Sequence, residues 1–329
     1  MKKLLVFATA MTLCINSFAG FAMASESSVT PRGLDADYPY TEDTFTMPCQ
    51  VQNSLGEYVL DGDVTITVSL PASYADSDKE YAVCYMLDGT VMTKNFVHKI
   101  YSLDSEEYPE IIYVGVDVPK DSYRSAVLAP PMTTTFFMES QDRGDVDTQL
   151  HGIGDYFYGW IATEVKDYID SNYRTIETAD STGIIGYSSG ASGALTAAML
   201  YPDTFTRVGC LSPAFWMWEN WYYGVMGNSG YEYSYTTEDG DIRTYTPSIE
   251  NLTHLFIYIG GLDDNGGTWN AGWSNTAAEN VYDHLVSLGA GSESANFVWW
   301  NQGIHGMPPV EVSAMAIKDL FGDFIVEEE

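Results

Sequence analysis

The sequence predicts an α/β fold in which a mostly parallel central sheet carries helices on both faces. Residues 82–87 and 111–116 are continuous apolar runs, which are typical of strands that are buried on both sides. Segments with helical periodicity lie between such runs, and the alternation of strand and helix continues to the end of the chain without a linker. We therefore expect one domain of this class.

The other predicted elements follow in chain order. Residues 64–70 alternate apolar and polar side chains up to Pro71, which indicates a strand with one solvent-facing side. Two stretches interrupt the alternation, 127–150 and an aromatic-rich one at 217–250, and insertions of this length are commonly binding loops or lids. Further strands are predicted at 182–185, 208–211, 255–259 and 297–300, and helices at 153–173, 191–200, 277–288 and 312–324.

The composition excludes several classes of protein. Hydrophobic residues make up 45% of the 329 residues, enough for a large core, so the chain is not predominantly disordered. Asp and Glu number 46 against 14 Lys and Arg, which gives a formal charge of −32. This excess argues against a nucleic-acid partner, because phosphate binding needs basic side chains, and against adsorption to anionic lipid. It selects neither a substrate nor an oligomeric state.

The N-terminal segment has the layout of a secretory signal peptide. Lys2 and Lys3 precede an apolar run at residues 4–13, and Ala22-Met23-Ala24 resembles a cleavage site. We therefore expect an exported protein, extracellular or, if the source has an outer membrane, periplasmic, with no membrane anchor after cleavage. The predicted units are the signal peptide at 1–24, a polar lead-in at 25–58 and a single α/β domain at 59–329.

Three cysteines remain after the predicted cleavage, namely Cys49, Cys84 and Cys210. An odd number cannot all pair within one chain, and the sequence leaves open whether one disulfide forms. Neither Cys-x-x-Cys nor paired-histidine spacing is present, so we expect no structural zinc.

The segment Gly186-Tyr187-Ser188-Ser189-Gly190 fits the motif G-x-S-x-G and stands between a predicted strand and a predicted helix. A sharp strand-to-helix turn exposes the side chain of its central residue, and glycines on either side avoid Cβ clashes. Ser188 is therefore the candidate nucleophile, and the N–H of Ser189 is a candidate oxyanion donor at a helix N-terminus. The alternative is a tight turn of small residues without catalysis.

A serine nucleophile needs a general base, and histidine has the matching pKa. His305 follows the strand predicted at 297–300 and precedes the last helix, where the base stands in the chain order Ser, Asp, His. The acid is expected in the loop after the preceding strand, where Asp263 is preferred to Asp264. The alternative is that both acids are solvated loop residues. Such a triad needs no metal ion and no organic cofactor.

Four segments, taken together and in order, resemble the esterase D-like esterases. This family includes the feruloyl and acetylxylan esterases of carbohydrate esterase family 1, S-formylglutathione hydrolases, mycolyltransferases and trilactone siderophore esterases. The resemblance implies an α/β-hydrolase fold and a triad on Ser188, Asp263 and His305. It also implies that Thr90 donates a second oxyanion N–H and that Asp88 shapes the loop before it. The segments are Val64 to Leu70 with Pro71, Tyr81 to Gly89, Gly186 to Gly190, and Gly260 to Asp263.

The sequence says less about the substrate than about the reaction. Trp216, Trp218, Trp221 and Trp269 could form platforms for a sugar ring or a feruloyl group, although packing explains most of them equally well. We expect a serine ester hydrolase that removes acyl or feruloyl groups from plant polysaccharide. The alternative substrate is a siderophore trilactone or another small ester. The alternative of another class is a non-catalytic secreted binding protein on a hydrolase scaffold.

Overall fold

The computed structural model describes residues 41–100, 108–120, 122–135, 150–237, 239–261, 272–301 and 303–325, with the backbone alone at 134, 135, 150 and 272–274. The predicted signal peptide and the loop that contains Asp263, Asp264 and Trp269 lie outside the described residues. Among the helices in these ranges, none combines the length and the apolar character that a membrane crossing requires.

The strands that the structure describes form one large sheet and two small ones. They are β1 (Thr41–Gln52), β2 (Tyr58–Leu70), β3 (Val83–Leu87), β4 (Ile112–Val116), β5 (Thr134–Thr135), β6 (Leu150–His151), β7 (Thr182–Tyr187), β8 (Arg207–Leu211), β9 (Tyr233–Thr236), β10 (Ile242–Tyr245), β11 (His254–Gly260) and β12 (Ser294–Trp300). The large sheet has the order β1-β2-β4-β3-β7-β8-β11-β12. β1 and β2 are antiparallel to their neighbours, and every pair from β4 to β12 is parallel.

Helices connect the parallel strands. In the described ranges they are α1 (Gly89–Met92), α2 (His98–Ile100), α3 (Arg124–Val127), α4 (Gly154–Trp160), α5 (Lys166–Asn172), α6 (Ser189–Leu200), α7 (Glu219–Met226), α8 (Gly272–Ser287) and α9 (Val310–Phe321). π-helical turns at Thr93–Val97 and Ile161–Val165 join α1 to α2 and α4 to α5. Short 3-10 turns lie at Ala72–Tyr74, Ala179–Ser181, Phe215–Met217 and Gly322–Phe324.

The sheet has a hydrophobic core on each face, and its inner strands β3, β4, β8 and β11 are buried on both sides. Along β3, the side chains of Val83, Tyr85 and Leu87 pack into one core, while Cys84 and Met86 pack into the other. A strand that is buried on both faces has no polar alternation, and this explains the continuous apolar runs in the sequence. The predicted α/β class with a mostly parallel sheet is confirmed.

β1 lies inside the stretch that was expected to be a polar lead-in. Most of its residues are exposed, because it is the edge strand and pairs with β2 alone. Its polar outer face explains why the segment was interpreted as a lead-in. The apolar positions Phe45, Met47, Cys49 and Val51 alternate and pack toward the core, which is the period of a half-buried strand. Residues from Thr41 onward therefore already belong to the sheet, before residue 59, where the α/β domain was predicted to start.

The second insertion, at 217–250, contains more regular structure than the sequence predicted. It includes α7 and the hairpin of β9 and β10, whose strands pair antiparallel. Of the first insertion, at 127–150, the structure describes the ends, where β5 pairs with β6.

The three cysteines are buried and carry free thiols. Burial raises the pKa of Cys49 to about 12 and raises the pKa values of Cys84 and Cys210 further, so all three thiols are protonated near neutral pH. They act as small apolar core residues, and no disulfide joins any two of them in the structure.

Candidate active site

The centre of the site is the turn between β7 and α6. Ser188 occupies this turn with φ 57° and ψ −121°, a left-handed conformation that costs about 1–3 kcal/mol for a residue with a Cβ atom. The turn is tight enough to demand glycine beside it, because a Cβ on Gly186 would lie 2.2 Å from the carbonyl oxygen of Gly190. The strained geometry lifts the serine side chain out of the end of the strand.

Ser188 contacts His305 directly. Its Oγ lies 3.1 Å from the Nε2 atom of His305, although the two residues are 117 positions apart in the chain. Ser188 is 6% exposed, whereas His305 is open to solvent. The imidazole also packs against the ring of Tyr187, with a centroid distance of 5.5 Å. A serine hydroxyl within hydrogen-bond reach of an imidazole is the pair that nucleophilic acyl transfer requires.

The loop that carries His305 is held by close backbone contacts. It follows β12 at the edge of the sheet where β7 and β11 also end, because these strands are parallel. A Cβ on Gly260 would lie 2.5 Å from the carbonyl carbon of Gly303, so the two backbones touch. On the other side of the loop, the Ser212 hydroxyl donates to the carbonyl oxygen of Gly306 at 3.2 Å. These contacts hold the loop that carries His305 against the ends of the strands.

The first turn of α6 presents the N–H of Ser189 beside the nucleophile. As the first residue of the helix it has no intrahelical acceptor, and the helix dipole favours negative charge there. Thr90 is arranged differently. Its N–H donates to Oδ1 of Asp117 at 2.8 Å, and its hydroxyl donates to Oδ2 of the same carboxylate at 2.6 Å. The role of Thr90 as a second oxyanion donor stays a prediction.

An ion pair lies beneath the nucleophile turn. Asp88, in the left-handed region at φ 60°, accepts two hydrogen bonds of 2.5 Å from Nε and Nη2 of Arg124. Its Oδ2 is also 2.8 Å from the position that a Cβ would take on Gly190. Burial opposes the charge on Arg124, yet the attraction and hydrogen bonds of Asp88 raise its pKa above the ordinary value. Asp88 therefore connects the loop after β3 to the start of α6.

The other four described histidines have surroundings of their own. His98 lies 2.8 Å from a carboxylate oxygen of Glu42, and His254 is 3.9 Å from Glu293. The ring of His284 packs against an aromatic ring on α7, and His151 is on β6. The ring nitrogen of His305, in contrast, lies within hydrogen-bond distance of the Ser188 hydroxyl.

The predicted aromatic platforms differ in exposure. Trp218 is 3% exposed and belongs to the core, in agreement with the packing alternative, while Trp216 and Trp221 are half-buried beside that core. Trp299 and Trp300, which were not among the predicted platforms, are 43% and 37% exposed at the end of β12, next to the His305 loop. Their position directly before that loop was a signal that could have identified them.

Sequence reasoning also missed Asp117 and Arg124. Asp117 directly follows β4, and Arg124 begins α3 in the segment after it. A charged residue at the carboxyl end of a buried parallel strand was the available signal, since such strand ends form the ligand-binding edge of α/β sheets. Their partners Thr90 and Asp88 lie more than twenty residues earlier, so the contacts themselves could not be deduced from spacing.

Comparison with known proteins gives relatives of limited overlap. Over 167 residues the chain is 24% identical to the "Uncharacterized protein YbbA" of Bacillus subtilis, covering 50% of this chain and 62% of that protein. Over 171 residues it is 26% identical to the siderophore enterobactin esterase of Emericella nidulans, covering 49% of this chain and 56% of that protein. The chain thus spans less than two thirds of the length of these curated relatives.

Solved structures share the fold over most of the chain. The IroE-like serine hydrolase from Shewanella oneidensis superposes with a TM-score of 0.60 at 18% identity, covering 87% of this chain and 82% of that one. A ferulic acid esterase superposes with a TM-score of 0.51 at 20% identity, covering 85% and 96%. The family model described as "Putative esterase" matches residues 58–303, about three quarters of the chain. The chain therefore belongs to this esterase family, in agreement with the resemblance of its motifs and with its fold.

Proposed function

We propose that this protein is a secreted serine esterase that hydrolyses carboxylic esters through Ser188, His305 and Asp263. The observation that carries the proposal is the 3.1 Å contact between Ser188 Oγ and His305 Nε2 at a strained strand-to-helix turn. Membership of an esterase family supports the same reaction class. The strain at Ser188 favours catalysis over a non-catalytic scaffold, because strained backbone positions are found mostly at active and binding sites.

The reaction proceeds through an acyl-enzyme. Ser188 Oγ attacks the ester carbonyl carbon while Nε2 of His305 takes the hydroxyl proton, and the N–H of Ser189 stabilises the oxyanion. The imidazolium of His305 then gives this proton to the departing alcohol oxygen, and the carbon–oxygen bond of the ester breaks. Water attacks the acyl-enzyme with His305 again as base, which releases the acid and restores Ser188.

The triad acid is proposed in the loop after β11. β11 ends at Gly260, whose backbone touches Gly303, so the segment that follows β11 starts next to the loop that carries His305. We propose Asp263 in preference to Asp264. Replacing the true triad acid with asparagine is expected to lower kcat by about 10⁴-fold, because the histidine loses its orienting partner. The corresponding change at the other aspartate should cost much less.

For the substrate we propose acyl or feruloyl groups on plant polysaccharide. The similarity in fold to a ferulic acid esterase and the half-buried Trp216 and Trp221 support this class. A siderophore trilactone is the second candidate, and a specific observation favours it, since the curated relative at 26% identity is a siderophore enterobactin esterase. A panel of acetylated xylan, methyl ferulate, a trilactone siderophore and short p-nitrophenyl esters distinguishes the two.

Ser188→Ala tests the reaction on the same panel. We expect the folded variant to lose several orders of magnitude in kcat on every accepted ester, because the acyl-enzyme cannot form. Ser192→Ala is the matched control, since this buried serine lies one turn along α6 and should leave kcat unchanged. If Ser188→Ala kept the wild-type kcat, the proposal would be wrong.

Export is proposed from the N-terminal layout of residues 1–24. The protein recovered from the medium or periplasm of an expressing bacterium should begin at Ser25. Retention in the cytoplasm with the N-terminal segment intact would contradict the localisation while leaving the esterase proposal standing.

A further inference from the structure

The carboxylate of Asp117 holds the amide that the family resemblance assigns to the oxyanion. It accepts the N–H of Thr90 at 2.8 Å and the hydroxyl of Thr90 at 2.6 Å, one on each oxygen. The carboxylate thus binds the same residue twice. Thr90 is exposed and Asp117 is half-buried, so a substrate can reach both partners of this contact, and a carboxylate is a strong hydrogen-bond acceptor.

The fold places this pair beside the nucleophile. Asp117 follows β4, Thr90 follows β3 and Ser188 follows β7, and these three parallel strands are consecutive in the sheet. Neighbouring strands are about 4.8 Å apart, so the segment after β3 that carries Thr90 starts between the ends of β4 and β7. The arrangement is rigid, because a Cβ on Gly89 would lie 2.3 Å from the carbonyl carbon of Gly115.

This contact has a chemical consequence for the reaction. While its N–H is bonded to Asp117, Thr90 cannot donate to an oxyanion on Ser188. The negative charge of the carboxylate would also oppose negative charge that develops on the ester oxygen. An ester can therefore use the Thr90 amide only if the carboxylate obtains another donor in exchange.

We propose that Asp117 selects esters that carry a hydrogen-bond donor close to the scissile carbonyl. The substrate's hydroxyl or amide N–H bonds to the carboxylate of Asp117 and draws it from Thr90, whose N–H is then free to stabilise the oxyanion. Esters that lack such a donor are hydrolysed slowly, with the Ser189 N–H as their remaining backbone donor. This inference rests on the proposed esterase function and narrows its substrate class.

Matched pairs of esters test the selection. p-Nitrophenyl 3-hydroxybutyrate and p-nitrophenyl butyrate differ by a hydroxyl on the acyl side, whereas 2-hydroxyethyl butyrate and ethyl butyrate differ by a hydroxyl on the alcohol side. The wild-type enzyme is expected to prefer the hydroxylated member of at least one pair by about tenfold in kcat/KM, the size of one hydrogen bond to a charged group. The pair that shows the preference indicates whether Asp117 binds a donor on the acyl side or on the alcohol side of the ester.

Asp117→Ala should raise kcat on the esters without a donor and abolish the preference. Asp117→Asn keeps the shape but accepts more weakly, so it should reduce the preference in the same direction. A rise in kcat separates this role from simple helix capping, since the loss of a cap lowers stability without speeding the reaction.

Glu110 offers a matched control at the other end of β4. Its carboxylate binds Ser73 in the same way, accepting the N–H at 3.1 Å and the hydroxyl at 2.5 Å. Glu110→Ala should therefore lower Tm and leave the ester preference unchanged. If both Asp117 variants keep the wild-type preference, or if the wild type shows none in either pair, the inference is wrong. The esterase proposal would survive that result provided that Ser188→Ala is inactive.

Discussion

Gly260 lies against Gly303 so closely that a Cβ on Gly260 would come within 2.5 Å of the Gly303 carbonyl carbon. The first residue ends β11 and the second precedes His305 by two positions, so one backbone contact sets the position of the imidazole. Backbone atoms cannot move aside as the end of a flexible side chain can. The proposed base is therefore held by the sheet itself.

Gly260→Ala should lower kcat by about a hundredfold, because a displacement of 1 Å at a catalytic group has an effect of this size. KM should change less. Gly224→Ala is the matched control, since nothing lies within 4 Å of a Cβ at that helical position and the change should be neutral or slightly stabilising. Steady-state kinetics with p-nitrophenyl butyrate and a thermal melt give both readouts. Full activity of Gly260→Ala would mean that the contact does not position His305.

The strain at Ser188 predicts a conflict between stability and activity. Ser188→Gly should have a free energy of unfolding about 1 kcal/mol higher than Ser188→Ala, because glycine adopts the left-handed conformation without strain and this gain exceeds its extra unfolded-state entropy. Both variants should be inactive. Urea denaturation of the pair is the measurement, and a glycine variant less stable than the alanine variant would contradict the strain.

The Asp88–Arg124 pair should contribute more to the free energy of unfolding than a surface ion pair does. The side chain of Asp88 is 12% exposed and that of Arg124 is 28% exposed. Arg124→Leu is expected to lower the free energy of unfolding by about 2 kcal/mol, because it leaves the carboxylate of Asp88 without its partner. Restoring neutrality with Asp88→Asn in the same chain should recover part of the loss. Lys79→Ala, at the more exposed pair with Glu110, should cost less than about 1 kcal/mol. Equal losses at the two sites would show that Arg124 has no special role.

His254 should make the fold more stable as the pH rises. Burial, followed by the charge of Arg207, lowers the pKa of this histidine, and the nearby carboxylates of Asp323 and Glu293 only partly oppose the shift. Between the lowered pKa and the ordinary value of about 6.5 the unfolded chain binds more protons than the folded one, so stability increases with pH through this window. Comparing Tm of wild type and His254→Gln at about pH 5 and pH 8 measures the contribution. An unchanged pH dependence in the variant would contradict it.

Much of the fold and the turn at Ser188 could be predicted from local sequence patterns. The apolar runs that became β3 and β4 and the glycines around Ser188 report on backbone conformation within a few residues. The meeting of Ser188 with His305 was predicted from chain order in a known architecture, which fixes where each strand ends.

Contacts between distant segments were not accessible from such patterns. β1 was missed because an edge strand with one paired side carries mostly polar residues, and only its alternating apolar positions indicated a strand. Asp117 was missed because its partner Thr90 comes from a different strand end. Trp218 was considered for substrate binding, yet its ring is in the core, because aromatic content alone does not tell packing from exposure.

The central claim is that His305 activates Ser188 as a nucleophile, and active-site labelling tests it most directly. A fluorophosphonate should modify the native protein at the Oγ of Ser188, located by peptide mapping, and His305→Ala should slow the labelling at least about a hundredfold. Labelling of another serine, or wild-type labelling of the His305→Ala variant, would contradict the claim.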